Sequence, residues 1–381
     1  MRSPLFIAAI STLALRGPCS KEDTAAGAAS ATATATASAP IASASATAPE
    51  KPKEVPFEEL VKASKPLTIS PADQKAAGGT ISAEVCAIEG GPLVNKSGMD
   101  VFKSIRAIGD RIFTVESDGA VHAYKIEAGP KCKLSVDKTF GDAGVAKFAN
   151  KIDRLSADSA GNLWATNGVF ASYKVGKDGK QVAECTGRPL GYLFVDPSGK
   201  SGIGTFANAT VAKVTLSGTT CKTEPWAFQD LSTDDKRKGV LTNAQAVGFV
   251  GGTIFLGGKL AKSADPNESN VVLALDASGK EKARLGKTDK DYSSKDRFGW
   301  VHAISPCKAG VCVLDSNYRR VTAWKTDGKF VDSVDLSALF NLKYPWIADF
   351  DRNKTHTYFV TGQDREVKGV AEGNIYRVTG L

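Results

Sequence analysis

A short hairpin recurs six times along this chain, and no single copy is large enough to bury a core of its own. Each copy is an alternating strand, a turn that ends in glycine, and a second strand. The copies are Val121–Lys125 before Gly129, Tyr173–Val175 before Asp178-Gly179-Lys180, and Val211–Thr215 before Ser217-Gly218. They continue as Val272–Asp276 before Ser278-Gly279-Lys280, Val321–Lys325 before Asp327-Gly328-Lys329, and Ile375–Thr379 before Gly380. Glycine at these turns supplies the positive φ that tight hairpins need. The copies lie roughly 40 to 60 residues apart, the length of one propeller blade. A second strand pair precedes each hairpin, seen most clearly at Ile105–Val115, Leu155–Ala165 and Ala246–Leu256. Two pairs make four strands, which is one blade.

The last copy ends near Leu381 without a fourth strand, while a spare strand, Ile81–Ile88, precedes the first. Ring closure uses both: the N-terminal strand completes the last blade and leaves no blade unpinned. The expected fold is therefore all-β, a six-bladed β-propeller over residues 80–381 closed by an N-terminal strand. A seven-bladed ring or a sandwich is the alternative use of the same short strands.

The residues before the propeller read as an address and a tether. Residues 1–19 hold a positive start (Arg2), an apolar run from Leu5 to Leu15, and Cys19. The run is too short to span a bilayer and has signal-peptide length. Its ending in Cys19 resembles the lipobox of bacterial lipoproteins, which implies lipidation of Cys19. Pro18 and Arg16 depart from that family's pattern, so ordinary signal cleavage is the alternative. Residues 20–53 are dominated by Ala, Thr, Ser and Pro and have little large to bury, the composition of a disordered linker. Residues 54–79 form a transition in which Pro56–Ser64 suits one short helix.

The segments Leu155–Lys180 and Val301–Val334 resemble the repeats of NHL-type six-bladed propellers. The residues that carry the likeness are Asp158, Gly161-Asn162-Leu163-Trp164, Val313-Leu314-Asp315 and Arg320-Val321. NHL-like propellers are binding platforms for proteins, RNA or carbohydrate, and related propellers carry hydrolase sites. The likeness implies a fold far more than a function.

Seven cysteines are present. With Cys19 lipidated, six remain, an even number in a chain addressed to an oxidising compartment. Cys307 and Cys312 flank a short turn and suit a cross-hairpin bond. Cys86, Cys132, Cys185 and Cys221 fall on outermost strands of different blades, with three pairings open.

Known catalytic signatures are missing. Pro197–Ser201 ends like a phosphate loop, but Phe194 stands where the loop's first glycine belongs. There is no His-Glu-x-x-His helix and no Gly-x-Ser-x-Gly elbow. The net charge of +8 is spread along the chain, and no nucleic-acid module is recognisable, so nucleic acid is not an expected partner. No cofactor is expected. The weakest open possibility is calcium or zinc. Asp349, Asp351 and Asn353 carry the 1-3-5 spacing of a calcium loop, and Asp265, Asn267 and Asp276 form a similar set. His122, His302 and His356 are the chain's three histidines.

By repeat alignment, Asp153, Arg154, Asn243, Gln245, Trp300, His302, Trp346 and Asp349 lie near the starts of the inner strands, where a central channel opens. Polar groups beside aromatics there suit a carbohydrate or a peptide. The expected function is an exported, lipid-anchored envelope protein whose propeller is a non-catalytic binding scaffold for a protein or glycan. One alternative is a metal-dependent lactonase or hydrolase of the gluconolactonase type, whose segments Glu89–Pro92 and Asp196–Thr205 resemble. The other is electrostatic binding of an anionic polymer or lipid surface.

Overall fold

The computed structural model describes residues 81–91, 93–95, 100–168, 171–185, 192–205, 211–218, 220–225, 241–260, 270–287, 294–342, 345–363 and 371–381. The expectations for residues 1–79 and for Asp265 and Asn267 lie outside the described residues, as do the side chains of Asn243 and Gln245.

The described chain enters through β1 (Ser82–Val85), β2 (Ala87–Ile88) and β3 (Leu93–Asn95). Blade 1 is then β4 (Phe102–Ile108), β5 (Arg111–Glu116), β6 (Val121–Ile126) and β7 (Lys133–Val136), with the short β8 (Val145–Ala146) beside β6. Blade 2 is β9 (Arg154–Ala157), β10 (Leu163–Thr166), β11 (Ser172–Val175) and β12 (Gln181–Cys185). Blade 3 is β13 (Tyr192–Val195), β14 (Ser201–Thr205), β15 (Val211–Ser217) and β16 (Thr220–Pro225). Blade 4 is β17 (Leu241–Val250), β18 (Thr253–Leu260), β19 (Asn270–Leu275) and β20 (Glu281–Leu285). Blade 5 is β21 (Val301–Cys307), β22 (Gly310–Asp315), β23 (Arg320–Trp324) and β24 (Phe330–Asp335). A five-residue helix, α1 (Leu336–Phe340), leads to blade 6: β25 (Trp346–Arg352), β26 (Thr357–Gln363) and, after β27 (Ala371–Gly373), β28 (Ile375–Thr379).

Each blade is an antiparallel sheet with its first strand innermost. The six innermost strands touch in sequence, and β25 returns to β4, so the ring is closed. Six apolar clusters hold it, one at each junction between neighbouring blades. The period of two explains how one strand serves two junctions. In β22, Cys312 and Leu314 face blade 6 while Val311 and Val313 face blade 4. A strand buried on both faces therefore reads as a continuous apolar run. Aromatic stacking reinforces the blade 5–6 junction: Phe350 lies 5.1 Å from Phe359, and Phe340 lies 4.2 Å from Tyr376. Each such burial contributes about 1.5–3 kcal/mol. The helix that supplies Phe340 is a structural addition to the sequence reading. Asp335 caps it by accepting the N–H groups of Ser337 and Ala338, and Asn341 ends it at φ 57°.

The recurrent turns are built by aspartate. Asp178, Asp196, Asp276 and Asp327 each accept backbone N–H groups within their own turns. The following glycines, such as Gly279 at φ 89°, take the left-handed conformation. Asp276 Oδ1 serves its turn, accepting the Ser278 and Lys280 N–H groups and the Ser278 hydroxyl.

Closure is made by the spare strand. β1 pairs antiparallel with β28, Ser82 opposite Thr379 and Val85 opposite Tyr376, and becomes the fourth strand of blade 6. The chain then crosses to blade 1, where β2 runs parallel to β7 outside it. Cys86, at the crossing, is bonded to Cys132, which immediately precedes β7. The Glu84 carboxylate forms an ion pair with Arg377 and accepts the Cys132 N–H at 3.1 Å. Arg377 also donates to the Pro130 carbonyl at 2.7 Å. The other bonds are Cys185–Cys221, which joins the outer strands of blades 2 and 3, and Cys307–Cys312, across the β21–β22 hairpin. The structure thereby selects one of the three pairings that composition left open.

Candidate functional site

The channel is lined by polar groups that stitch neighbouring inner strands together. Ser104 of β4 donates to Asp349 Oδ2 of β25 at 2.7 Å and accepts the Leu155 N–H of β9 at 3.1 Å. Ser156 of β9 donates to the Leu193 carbonyl of β13 at 3.0 Å. Ser305 of β21 donates to Asp351 Oδ1 at 3.0 Å, and Asp351 Oδ2 accepts the Ala107 N–H at 3.0 Å. Between blades 4 and 5 the approach is made by glycine instead: a Cβ on Gly248 would lie 2.6 Å from Ile304 Cγ2.

Asp349 is the centre of this network. It is 1% exposed and also accepts the Ile105 N–H at 3.2 Å and Arg106 Nη1 at 3.0 Å. Burial alone would push its carboxyl up. The charges of Arg106 and Arg154 and the Ser104 and Ile105 bonds outweigh burial and hold it below the usual aspartate range. At Asp351 the balance goes the other way, and burial pushes the carboxyl up despite Arg106 and the Ala107 N–H. The calcium-loop spacing falls on a strand and not on a loop. Asp349 and Asp351 lie within the extended strand β25, and Asn353 follows it directly. Among the described residues no group of three His, Cys, Asp or Glu side chains could hold a metal.

Arg154 reaches from blade 2 across the channel. Its Nη1 lies 3.4 Å from the His302 carbonyl of blade 5, and its guanidinium lies 5.0 Å from the Tyr192 ring of blade 3. The His302 ring lies 5.9 Å from Trp346. Burial and the Arg154 charge push His302 down to about 4, against the pull of Asp349. Of the eight channel residues singled out in the sequence, the structure brings Arg154, His302, Trp346 and Asp349 near one another. Asp153 sits at the rim, paired with Lys103 at 2.8 Å. Trp300 donates its backbone N–H to Asp315 Oδ1 at 3.1 Å.

The other histidines stand apart from this group. His122 lies 3.1 Å from Asp118 at the β5–β6 turn of blade 1, and His356 sits at the β25–β26 turn. The segments with a lactonase likeness also fall elsewhere. Glu89 accepts the Val136 N–H on the outer edge of blade 1, and Asp196 is the turn residue of the β13–β14 hairpin.

The opposite mouth, where the inner strands end, holds a feature that sequence reading missed. All six blades contribute to a funnel of about 490 Å³. Phe194, Phe249, Ile304 and Phe350 supply its apolar wall, and Arg106, Asp158, Asp351 and Lys354 its polar groups. Phe249 and Pro197 also line an adjoining groove of about 360 Å³ between blades 3 and 4, with Ile203, Ile254 and Lys213. The signal for this mouth was present as the ends of the inner strands, each followed by a hairpin turn.

No family description and no curated protein matches this sequence. Among solved structures, the chain is similar to the β-propeller domain of Myceliophteria thermophila Cps50 (Swd1), at 14% identity and a TM-score of 0.47, over 75% of this chain and 98% of that one. It is also similar to U3-55K, at 10% identity and a TM-score of 0.45, over 76% of this chain and 100% of that one.

Proposed function

We propose that this chain is an exported envelope protein, anchored by a lipid on Cys19, whose propeller binds a protein or glycan partner through its channel and performs no chemistry. The single observation behind this reading is the funnel. Six blades converge on a cavity of about 490 Å³ with both apolar and polar lining. That size and mixture suit a sugar chain or a peptide. The three disulfides agree with an oxidising compartment. The signal-like start, the linker and the NHL-like repeats support a tethered platform. Polysaccharide and protein partners of the envelope are its expected ligands, with the membrane engaged only through the lipid.

The test is binding of the full-length exported chain to isolated envelope polysaccharide and to envelope protein extracts. Phe249→Asp removes the aromatic shared by funnel and groove, and Lys354→Glu reverses a rim charge. Loss of an aromatic contact centred in a pocket weakens binding by about 2 kcal/mol, more than tenfold. Phe249→Asp is expected to show that loss, provided circular dichroism confirms the fold. Unchanged binding in both variants, or turnover of a lactone by the wild-type chain, contradicts the reading.

A further inference from the structure

The channel contains a cation with no counter-ion of its own. Arg154 is 7% exposed, yet among the described residues no carboxylate lies within ion-pair distance of it. Its contacts are the long 3.4 Å approach to the His302 carbonyl and the face of Tyr192. Its Nε is buried without a partner, and so is Nδ1 of His302, the residue whose carbonyl it approaches. Buried polar atoms are almost always satisfied, so two orphans on residues in contact from opposite blades mark a place where something else binds.

The pairing of charges says what that is. Arg106 and Arg154 both act on Asp349, but only Arg106 pairs with it, at 3.0 Å, and Arg106 also faces Asp351. Lys103 and Asp153 neutralise one another at the rim. Arg154 is thus the guanidinium left without a paired carboxylate, and an anionic group on a ligand meets it. The planar fork of a guanidinium suits a carboxylate.

His302 adds a second requirement. Its ring is neutral at ordinary pH, with one nitrogen a donor and the other an acceptor. A hydroxyl both donates and accepts, so it satisfies Nδ1 in either tautomer. Trp346 is partly exposed and meets the His302 ring edge to face at 5.9 Å, so an aromatic ring adjoins the same group. Sugar rings stack on such faces through their C–H surfaces.

We propose that Arg154, His302 and Trp346 form a subsite for a sugar acid, with the carboxylate on Arg154, a neighbouring hydroxyl on His302 Nδ1 and the ring against Trp346. This rests on the reading of the channel as a glycan-binding site and names the class of glycan, one that carries a carboxylate on the sugar.

The test is calorimetric titration of the full-length chain with glucuronate, glucose, acetate and inorganic phosphate. Glucuronate is expected to bind saturably. Glucose, which lacks the carboxylate, and acetate, which lacks the hydroxyl, should each bind at least about tenfold more weakly, the value of one charge-assisted hydrogen bond. Arg154→Gln should remove glucuronate binding. His302→Phe keeps a ring of similar size and should weaken glucuronate about tenfold while leaving acetate unchanged. It serves as the deciding variant if Arg154→Gln does not fold. Three results overturn the proposal: no glucuronate binding by the folded chain, phosphate binding as tightly as glucuronate, or glucuronate binding unaffected in His302→Phe. Retention of envelope polysaccharide with any of these leaves the scaffold reading standing and removes only the subsite. Loss of both removes the scaffold reading itself.

Discussion

Replacing Cys86 and Cys132 together by alanine is expected to lower stability by about 4 kcal/mol, from the chain entropy released when a cross-link of this span is removed. The two residues are 46 apart in sequence, and the bond closes the strap that joins blade 6 to blade 1. The same replacement at Cys307 and Cys312, only 5 apart, should lower it by about half as much. The larger effect comes from position as well as span. Without the bond, β1 is held to β28 by its ladder and by Glu84 with Arg377, and the ring can open at one seam. Total stability of about 5–15 kcal/mol makes such a loss easy to see. Urea unfolding without reductant measures it. A midpoint unchanged from wild type in the Cys86/Cys132 variant contradicts the closure described here.

Asp349→Ala is expected to destabilise the chain by about 3–5 kcal/mol, the usual result of removing one partner from a buried ion pair. Arg106 would lose its carboxylate and Ser104 and Ile105 their acceptor, all at the blade 6–1 junction. Asp349→Asn keeps the shape and part of the hydrogen bonding and should cost less. The pH dependence has a definite sign. The folded carboxyl is held below its unfolded value, so its stabilising contribution is present above about pH 4 and is lost as pH falls through the folded value. Asp349→Ala should therefore flatten the acid side of the stability curve. Thermal melts of wild type and variant from pH 7 to pH 3 check this. A variant that loses stability in parallel with wild type on acidification shows that Asp349 is not the group responsible.

The ring was legible because its unit repeats and its parts do not balance. A spare strand at Ile81–Ile88 and a missing one after Ile375–Thr379 have one economical solution, and the β1–β28 ladder is that solution. The pairings of Cys86, Cys132, Cys185 and Cys221 were not legible, because they depend on which outer strands become neighbours. Cys86 meets Cys132 because β2 lies parallel to β7 at the outer edge of blade 1, a pairing outside the repeat. Asp349-x-Asp351-x-Asn353 was ambiguous for a different reason. Alternate polar residues have the same spacing in a calcium loop and on a strand, and only the pairing of β25 with β26 separates the two. Ser104, Arg106 and Ser305 escaped notice because polar residues at alternate strand positions read as a solvated face. In a propeller the inner strand has no such face, and these side chains join one blade to the next. Arg154 and His302 were found by their place in the repeat. Their unpartnered atoms could be seen only in three dimensions.

The claim that the propeller binds without performing metal-dependent chemistry is tested most directly by elemental analysis of the purified full-length chain, dialysed without chelator. The expected result is a stably folded protein with calcium and zinc well below one per chain. One calcium or zinc ion per chain, retained through dialysis, contradicts a non-catalytic scaffold and points mutagenesis at Asp349, Asp153 and His302.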